Sequence, residues 1–218
     1  MSARVEAVAQ QRRRPRTVRI VVAVAALALV VAMALSIKVV KIGADINAAP
    51  GAFDRASYGA KEFPVVQAAV EKRAVDATTL AAAIAKDPAA AAKQYGVPTG
   101  AGPEFAVKFS GVVGKGDFGV FDVAVPGIAK SLTIQVQTGP AIIGTDLRDA
   151  PGTIAFGQFT NQIDYQNAGA ALNNEMKKAV LAKVDTATLK GKKISVVGAF
   201  QLGDPTKWTV APAVLMVP

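Results

Sequence analysis

Residues 20–37 form an uninterrupted apolar run, IVVAVAALALVVAMALSI, in which Ser36 is the only polar side chain. As a helix these 18 residues span about 27 Å, close to the hydrocarbon thickness of a bilayer. Five arginines between positions 12 and 19 precede the run, and basic flanks stay on the cytoplasmic side. We therefore expect a basic cytoplasmic tail at 1–19, a single-pass transmembrane anchor at 20–40 and an extracytoplasmic domain after it.

The same segment also fits a cleaved signal peptide. Ala32-Met33-Ala34 has the small-x-small form that signal peptidase favours. The apolar run is long, however, and no polar, helix-breaking stretch stands before the cleavage site, which favours a retained anchor. Cleavage near Ala34, which would make the domain a secreted protein, is the alternative.

The net charge of +9 is concentrated beside the apolar run. Residues 1–41 carry eight Lys or Arg and one acidic residue, whereas the remaining 177 residues carry 17 basic and 15 acidic side chains. A nucleic-acid-binding domain carries its basic excess on the folded part. The charge distribution therefore indicates membrane topology, and we expect no nucleic-acid partner.

Histidine and cysteine are both absent from the chain. Their absence removes thiolate chemistry, the Ser-His-Asp arrangement and nearly every catalytic zinc site. We therefore expect a protein that is not an enzyme and that uses no cofactor or metal. The catalytic alternative is a hydrolase acting through paired carboxylates such as Asp146, Asp149 and Asp164.

After the apolar run the pattern is first irregular and then helical. Residues 41–62 mix Gly, Pro, Ala and charged residues and are predicted to form a tether. Apolar residues at three- and four-residue spacing predict a helical segment over 63–96. Asp87, followed by a proline, is the expected N-cap of the last short helix in that segment.

The period changes to two in the last part of the chain, 104–218. Alternation predicts strands, with one amphipathic helix among them: strands at 105–113, 120–125, 132–136, 154–156, 193–200 and 207–217, and the helix at 165–184. With the short 154–156 piece set aside, three antiparallel strands, a helix and two more strands is the order of an OB-like five-stranded antiparallel β-barrel with a helix between strands 3 and 4. We therefore expect an α+β protein; an antiparallel sheet packed on the helices is the alternative.

A charged pair stands out between the third strand and the long helix. Arg148 and Asp149 lie in a stretch bounded by Gly and Pro. The guanidinium offers a planar fork of donors to a carboxylate, a phosphate or sugar hydroxyls. The alternative is structural: the two residues form an ion pair that pins the loop to the barrel.

Four polar side chains gather just before the long helix: Thr160, Asn161, Gln162 and Tyr165. Amides hydrogen-bond to pairs of hydroxyls and a Tyr ring offers an apolar face. These residues are therefore candidates for binding a small polar ligand such as a sugar. Capping of the helix by Thr160, Asn161 or Asp164 is the alternative, although four such side chains in six positions exceed what a cap needs.

The residues around these candidates also carry a family resemblance. The strings GTDLRDA at 144–150 and FTNQIDY at 159–165, with KVVKI at 38–42, resemble a family of predicted bacterial periplasmic lipoproteins, domain-of-unknown-function family 2291. The resemblance implies an exported, membrane-tethered protein, often encoded beside sugar-importing ABC transporters, with no established activity. Such lipoproteins carry a Cys just before the KVV-like segment. Ser36-Ile37 stands there in this chain, so the apolar run rather than a lipid is expected to anchor it.

Together, the pattern and the resemblance predict a non-enzymatic accessory protein anchored at the outer face of the membrane. We expect it to work with components of a sugar-type ABC transporter or to bind a small polar ligand. A structural module for protein interactions in the envelope is the first alternative, and the carboxylate-dependent hydrolase is the second.

Overall fold

The computed structural model describes residues 53–218 and, before them, Val22, residues 24–29 and Met33, which are helical and exposed. The predicted tail, most of the predicted anchor and the tether up to residue 52 lie outside the described residues. Among the residues described, no helix combines the length and apolar character that a membrane span requires. The chain divides into residues 1–46 and one compact unit of residues 47–218; the fold below is that of the second unit.

Residues 53–218 contain five α-helices: α1 (Arg55–Arg73), α2 (Ala77–Lys86), α3 (Pro88–Tyr95), α4 (Asp146–Asp149) and α5 (Gln162–Ala179). Asp87 caps α3, as its position before a proline predicted. Asp54 caps α1 by accepting two N–H groups of the first turn. Because Asp54 supplies this cap, the helix starts at Arg55 rather than at residue 63, so 55–62, predicted as tether, are helical.

In the described part of the chain, seven strands form one mixed sheet: β1 (Val75–Asp76), β2 (Val97–Thr99), β3 (Gly102–Asp117), β4 (Val120–Ala124), β5 (Thr133–Gln137), β6 (Lys193–Gln201) and β7 (Lys207–Met216). The five longer strands pair in the order β3-β4-β5-β7-β6, and β6 returns to pair with β3. This closed ring is a barrel, and α5 lies between its third and fourth strands in the chain.

The prediction of an antiparallel five-stranded barrel was wrong in two respects. β5 pairs in parallel with β7, because strand directions cannot alternate all the way around a closed ring of five. β1 and β2 add two short pairings along β3, one of them parallel; two or three residues are too short to show a period in the sequence.

Two smaller predictions also differ from the structure. Residues 154–156 form no strand; the chain there runs into a 3₁₀ turn, Phe156–Gln158. The long helix begins at Gln162 because Asn161 supplies its N-cap, and it ends at Ala179, where a 3₁₀ turn follows at Leu181–Lys183. The helix start therefore lies three residues before the position that the apolar period indicated.

One hydrophobic core joins the helices to the barrel. Inside the barrel, the Phe200 ring stacks on Trp208 at 4.6 Å and on Phe105 at 5.6 Å between centroids, and all three residues are fully buried. Helix α1 packs on α5, where Gly59 permits the close approach: a Cβ there would lie 2.7 Å from the Ala171 carbonyl oxygen. The helical segment thus belongs to the same unit as the barrel, and together they position the loop that carries α4.

Candidate functional site

Hydrogen bonds fix the loop around α4 on both sides. Thr145 starts the helix: its hydroxyl donates to Asp149 Oδ2 at 2.6 Å, and its carbonyl accepts the N–H groups of Arg148 and Asp149. Asn173, a buried residue of α5, donates from Nδ2 to the Gly144 carbonyl at 2.9 Å. The charged residues of α4 are therefore held in place by both their own turn and the neighbouring helix.

Arg148 and Asp149 form a buried, bidentate ion pair. The Arg148 Nε donates to Oδ1 at 2.8 Å and Nη2 to Oδ2 at 2.9 Å, and each side chain is 9% exposed. The Arg148 Nη1 donates to the Tyr165 carbonyl at 3.1 Å, and the guanidinium carbon lies 3.7 Å from the Tyr165 ring centroid. The Tyr165 hydroxyl donates to Asp149 Oδ1 at 3.4 Å. Three of the predicted site residues thus meet at one place.

The other three candidates lie apart from this pair. Asn161 caps α5: its Oδ1 accepts the Asp164 N–H at 2.9 Å, and its Nδ2 donates to the Asp164 carboxylate at 2.9 Å. Thr160 and Gln162 are exposed, and neither lines the cavity beside Arg148. The Asn161 side chain therefore serves the helix terminus, as the capping alternative expected.

A cavity of about 570 Å³, here called the Arg148 cavity, opens beside the ion pair. This volume lies within the range of about 300–1,000 Å³ typical of small-molecule sites. Its other polar walls are neutral and include Thr99, Thr145, Tyr165 and Gln201. Its apolar walls come from β2 with the turn after it and from the loop before α5, and include Val97, Pro98, Ile154 and Phe156. Arg148 and Asp149 are the charged residues among the described residues that line it, so the cavity carries no net charge.

A second cavity of about 460 Å³, here called the Phe159 cavity, adjoins the first, and Ile154 lines both. Its walls include Phe53, Tyr58, Phe159 and Glu62. Burial, and then the Glu62 carboxylate, raise the pKa of Tyr58, so its hydroxyl stays protonated at neutral pH. The sequence pattern gives no signal for these aromatic residues, because they come from separate segments without a shared period.

A buried pair of carboxyl groups lies behind the ion pair. Glu104 of β3 is 1% exposed, and its Oε1 has no hydrogen-bond partner among the described residues. Asp146 of α4 is also buried, and its Oδ1 accepts the Gln201 N–H at 3.1 Å. Burial, and then the charge of Asp146, raise the pKa of Glu104 to about 10, while burial raises that of Asp146 to about 6. Glu104 therefore keeps its proton at neutral pH and donates it in a hydrogen bond to Asp146.

The alternation of β3 gave no signal for this pair. Phe105, Val107 and Phe109 face the barrel interior, so the period of two places Glu104 on the opposite, solvent side. In the structure residues 104–107 are all buried, because the helices α1, α2 and α3 contact β3 and Asp146 of α4 interacts with the Glu104 side chain. Only the long-range packing reveals that the carboxyl group is covered.

The three carboxylates of the catalytic alternative lie in different surroundings. Asp149 is held by Arg148, Asp164 by the cap of α5, and Asp146 by Glu104 and a backbone N–H. In the part of the chain that is described, no group of three or more acidic side chains could hold a metal ion. The wall of the Arg148 cavity is therefore neutral and partly aromatic, and it carries paired hydrogen-bond donors and acceptors.

The five-stranded barrel with its helix between the third and fourth strands defines an OB-fold protein. A crystal structure of an OB-fold protein from Thermotoga maritima is similar over 76% of this chain and 99% of that chain, with a TM-score of 0.63 and 17% sequence identity. At this identity the similarity establishes the fold. The OB-like fold predicted from the strand order is thereby confirmed.

The chain belongs to the family described as predicted periplasmic lipoproteins, domain-of-unknown-function family 2291, whose match covers residues 25–216. The resemblance carried by the strings at 144–150 and 159–165 is confirmed. Membership indicates an extracytoplasmic location. The chain has no cysteine to which a lipid could be attached. The comparison with curated proteins found no match.

Proposed function

We propose that this protein is a non-catalytic binding protein, anchored in the membrane by residues 20–40, that holds a small neutral polar ligand such as a sugar in the Arg148 cavity. The observation that carries the proposal is the buried, bidentate Arg148–Asp149 pair in the wall of a 570 Å³ cavity. The family description supports the compartment. The apolar run and its arginine flank support the anchor.

The chemistry of the cavity favours hydroxyl groups over charged ones. The positive and negative charges of Arg148 and Asp149 cancel at short range, so an ionic ligand gains little net attraction. Three of the five guanidinium N–H groups are used within the described part of the chain. The remaining donors and the carboxylate lone pairs match a hydroxyl, which both donates and accepts.

The carboxylates support a role in binding rather than in hydrolysis. Asp149 accepts from Arg148 and from the Thr145 hydroxyl, and Asp164 is part of a helix cap. The protein itself thus occupies both carboxylates as hydrogen-bond acceptors, so neither is placed to exchange a proton with a substrate. If Asp149→Asn and Asp164→Asn proteins keep the cellular role of the wild type, the hydrolase alternative is excluded.

A thermal-shift screen tests the proposal. We expect at least one pentose, hexose or polyol to raise the melting temperature of the purified full-length chain, kept in a detergent without a sugar headgroup. A ligand at about a hundred times its Kd adds about 2.7 kcal/mol to the stability. Phe156→Ala removes an exposed wall of the cavity and should abolish the shift.

Phe118→Ala is the matched control, because it removes the same ring from the β3–β4 hairpin tip, where Phe118 is 87% exposed. It should leave the shift unchanged. A screen without any shift, or equal shifts in both alanine variants and the wild type, would contradict binding in the Arg148 cavity.

We further propose that the partner is a component of a sugar-type ABC importer. This proposal rests on the family resemblance given above. Crosslinking in native membranes should then recover a permease or substrate-binding component with the full chain. A fusion of residues 1–46 to an unrelated domain is the control for contacts made by the anchor alone. Recovery of no importer component, or equal recovery by both proteins, would contradict the partnership.

A further inference from the structure

A continuous series of aromatic contacts joins the two cavities. From the Arg148 cavity, Phe156 contacts Tyr165 with ring centroids 5.8 Å apart, and Tyr165 contacts Phe159 at 5.4 Å. Phe159 in turn contacts Tyr58 and Phe53, each at 5.8 Å. The rings come from the start of α1, from the loop before α5 and from α5 itself, so the packing of the two helices assembles the series.

The rings differ in what they offer to a ligand. One face of Tyr165 is covered by the Arg148 guanidinium at 3.7 Å, so this ring connects the two cavities but does not offer that face for stacking. Phe156 is 49% exposed and lines the Arg148 cavity. Phe53 and Phe159 are half-buried and line the Phe159 cavity. Each cavity therefore has its own accessible aromatic wall.

Polar groups of low net charge lie beside the aromatic wall of each cavity. The Arg148 cavity has the neutralised ion pair and the side chains of Thr99, Thr145 and Gln201. The Phe159 cavity has the Glu62 carboxylate, with Lys61 Nζ 3.8 Å from it. Apolar ring faces beside hydroxyl-binding groups match a pyranose or furanose ring, which has an apolar C–H face and a polar rim.

We propose that the two cavities are adjoining subsites for an oligosaccharide of at least two rings. This inference rests on the proposed function. The first ring lies against Phe156 beside Arg148 and Asp149, and the second lies against Phe53 and Phe159 within reach of Glu62. The bridge between them is Ile154, which lines both cavities. Because the second ring is linked to the first, its binding is intramolecular and adds affinity without a second association step.

The test compares ligand lengths by calorimetry on the full-length chain in a detergent without a sugar headgroup. The probes are glucose, galactose and xylose, and the disaccharides maltose, cellobiose, lactose and xylobiose. We expect the best disaccharide to bind at least about tenfold more tightly than its own monosaccharide. This factor equals about 1.4 kcal/mol and is near the upper end of what one aromatic contact contributes.

Two kinds of variant separate the subsites. Phe53→Ala should lower the affinity for the disaccharide to that for the monosaccharide and leave the monosaccharide affinity unchanged. Glu62→Gln preserves the shape of the side chain and so avoids a folding defect. It should lower the affinity for the disaccharide and leave the affinity for the monosaccharide unchanged. Phe156→Ala should lower the affinity for both ligands, and Phe118→Ala should change neither affinity.

The outcomes distinguish this inference from the proposed function. Equal affinities for monosaccharide and disaccharide, or a Phe53→Ala protein that keeps the length preference, would overturn the two-subsite inference while the binding function stands. Absence of binding by every sugar would overturn the proposed function and the inference with it. A length preference that Phe53→Ala and Glu62→Gln both remove would support the inference.

Discussion

Replacing Arg148 with methionine is expected to lower the free energy of unfolding by about 3–5 kcal/mol. Methionine fills much of the same space, but it leaves the Asp149 carboxylate, 9% exposed, without its counter-ion. The Asp149 carboxylate keeps one strong donor, the Thr145 hydroxyl, which does not replace the lost charge. Urea unfolding of residues 47–218 measures the change, and the fluorescence of Trp208, the single and fully buried Trp, reports it.

Two further variants show whether the cost comes from the unpaired charge. The double variant Arg148→Met with Asp149→Leu removes both charges and should regain most of the lost stability. Lys178→Met breaks a surface ion pair, in which the Lys178 side chain is 65% exposed and its Nζ lies 3.0 Å from Glu175; it should cost less than about 1 kcal/mol. A similar small cost for Arg148→Met would show that water, rather than the pair, satisfies Asp149.

The order of the long strands and helices could be predicted because each has a clear period of its own. Phe105, Val107 and Phe109 alternate, and the strand predicted at 105–113 lies within β3, which extends beyond it at both ends to Gly102 and Asp117. The parallel pairing of β5 with β7 follows from closing a five-stranded ring, which no single segment reveals. The start of α1 depends on Asp54, whose capping role was hidden because the residues after it carry no regular apolar spacing.

The site was predictable by residue type but not by arrangement. Arg148, Asp149 and Tyr165 meet because α4 and α5 pack together, and their chemistry had marked them in the sequence. Asn161 has the same hydrogen-bonding groups as a ligand-binding amide, so composition could not distinguish its role as a cap. Phe53 and Phe159 lie about a hundred residues apart in the chain, and only the contact of α1 with α5 brings their rings together.

Glu104 makes the stability of this protein depend on pH in a range where few other groups titrate. The pKa of Glu104 is raised from 4.5 to about 10 and that of Asp146 from 3.8 to about 6. Both folded-state values lie above the unfolded ones, so the folded state holds more protons than the unfolded state over the interval between them. The stabilising contribution is complete below about pH 4 and decreases as the pH rises toward the folded values.

Between pH 7.5 and 9 the decrease should come from Glu104 alone. Asp146 is already ionised above its pKa of about 6, and the chain contains no His or Cys that would titrate there. We expect the free energy of unfolding of residues 47–218 to fall by about 1.4 kcal/mol for each pH unit, since one proton per molecule is lost on unfolding. Urea titrations at several pH values measure this slope.

Glu104→Gln provides the decisive comparison, because the amide keeps the shape and donates to Asp146 as the protonated carboxyl does. Its stability should be nearly independent of pH between 7.5 and 9. It should match the wild type near pH 4, where Glu104 is neutral in both the folded and the unfolded state, and exceed it increasingly toward pH 9. Equal slopes in the two proteins would show that Glu104 is ionised in the folded state and reached by water. The carboxyl pair behind Arg148 would then be an open part of the site rather than its buried support.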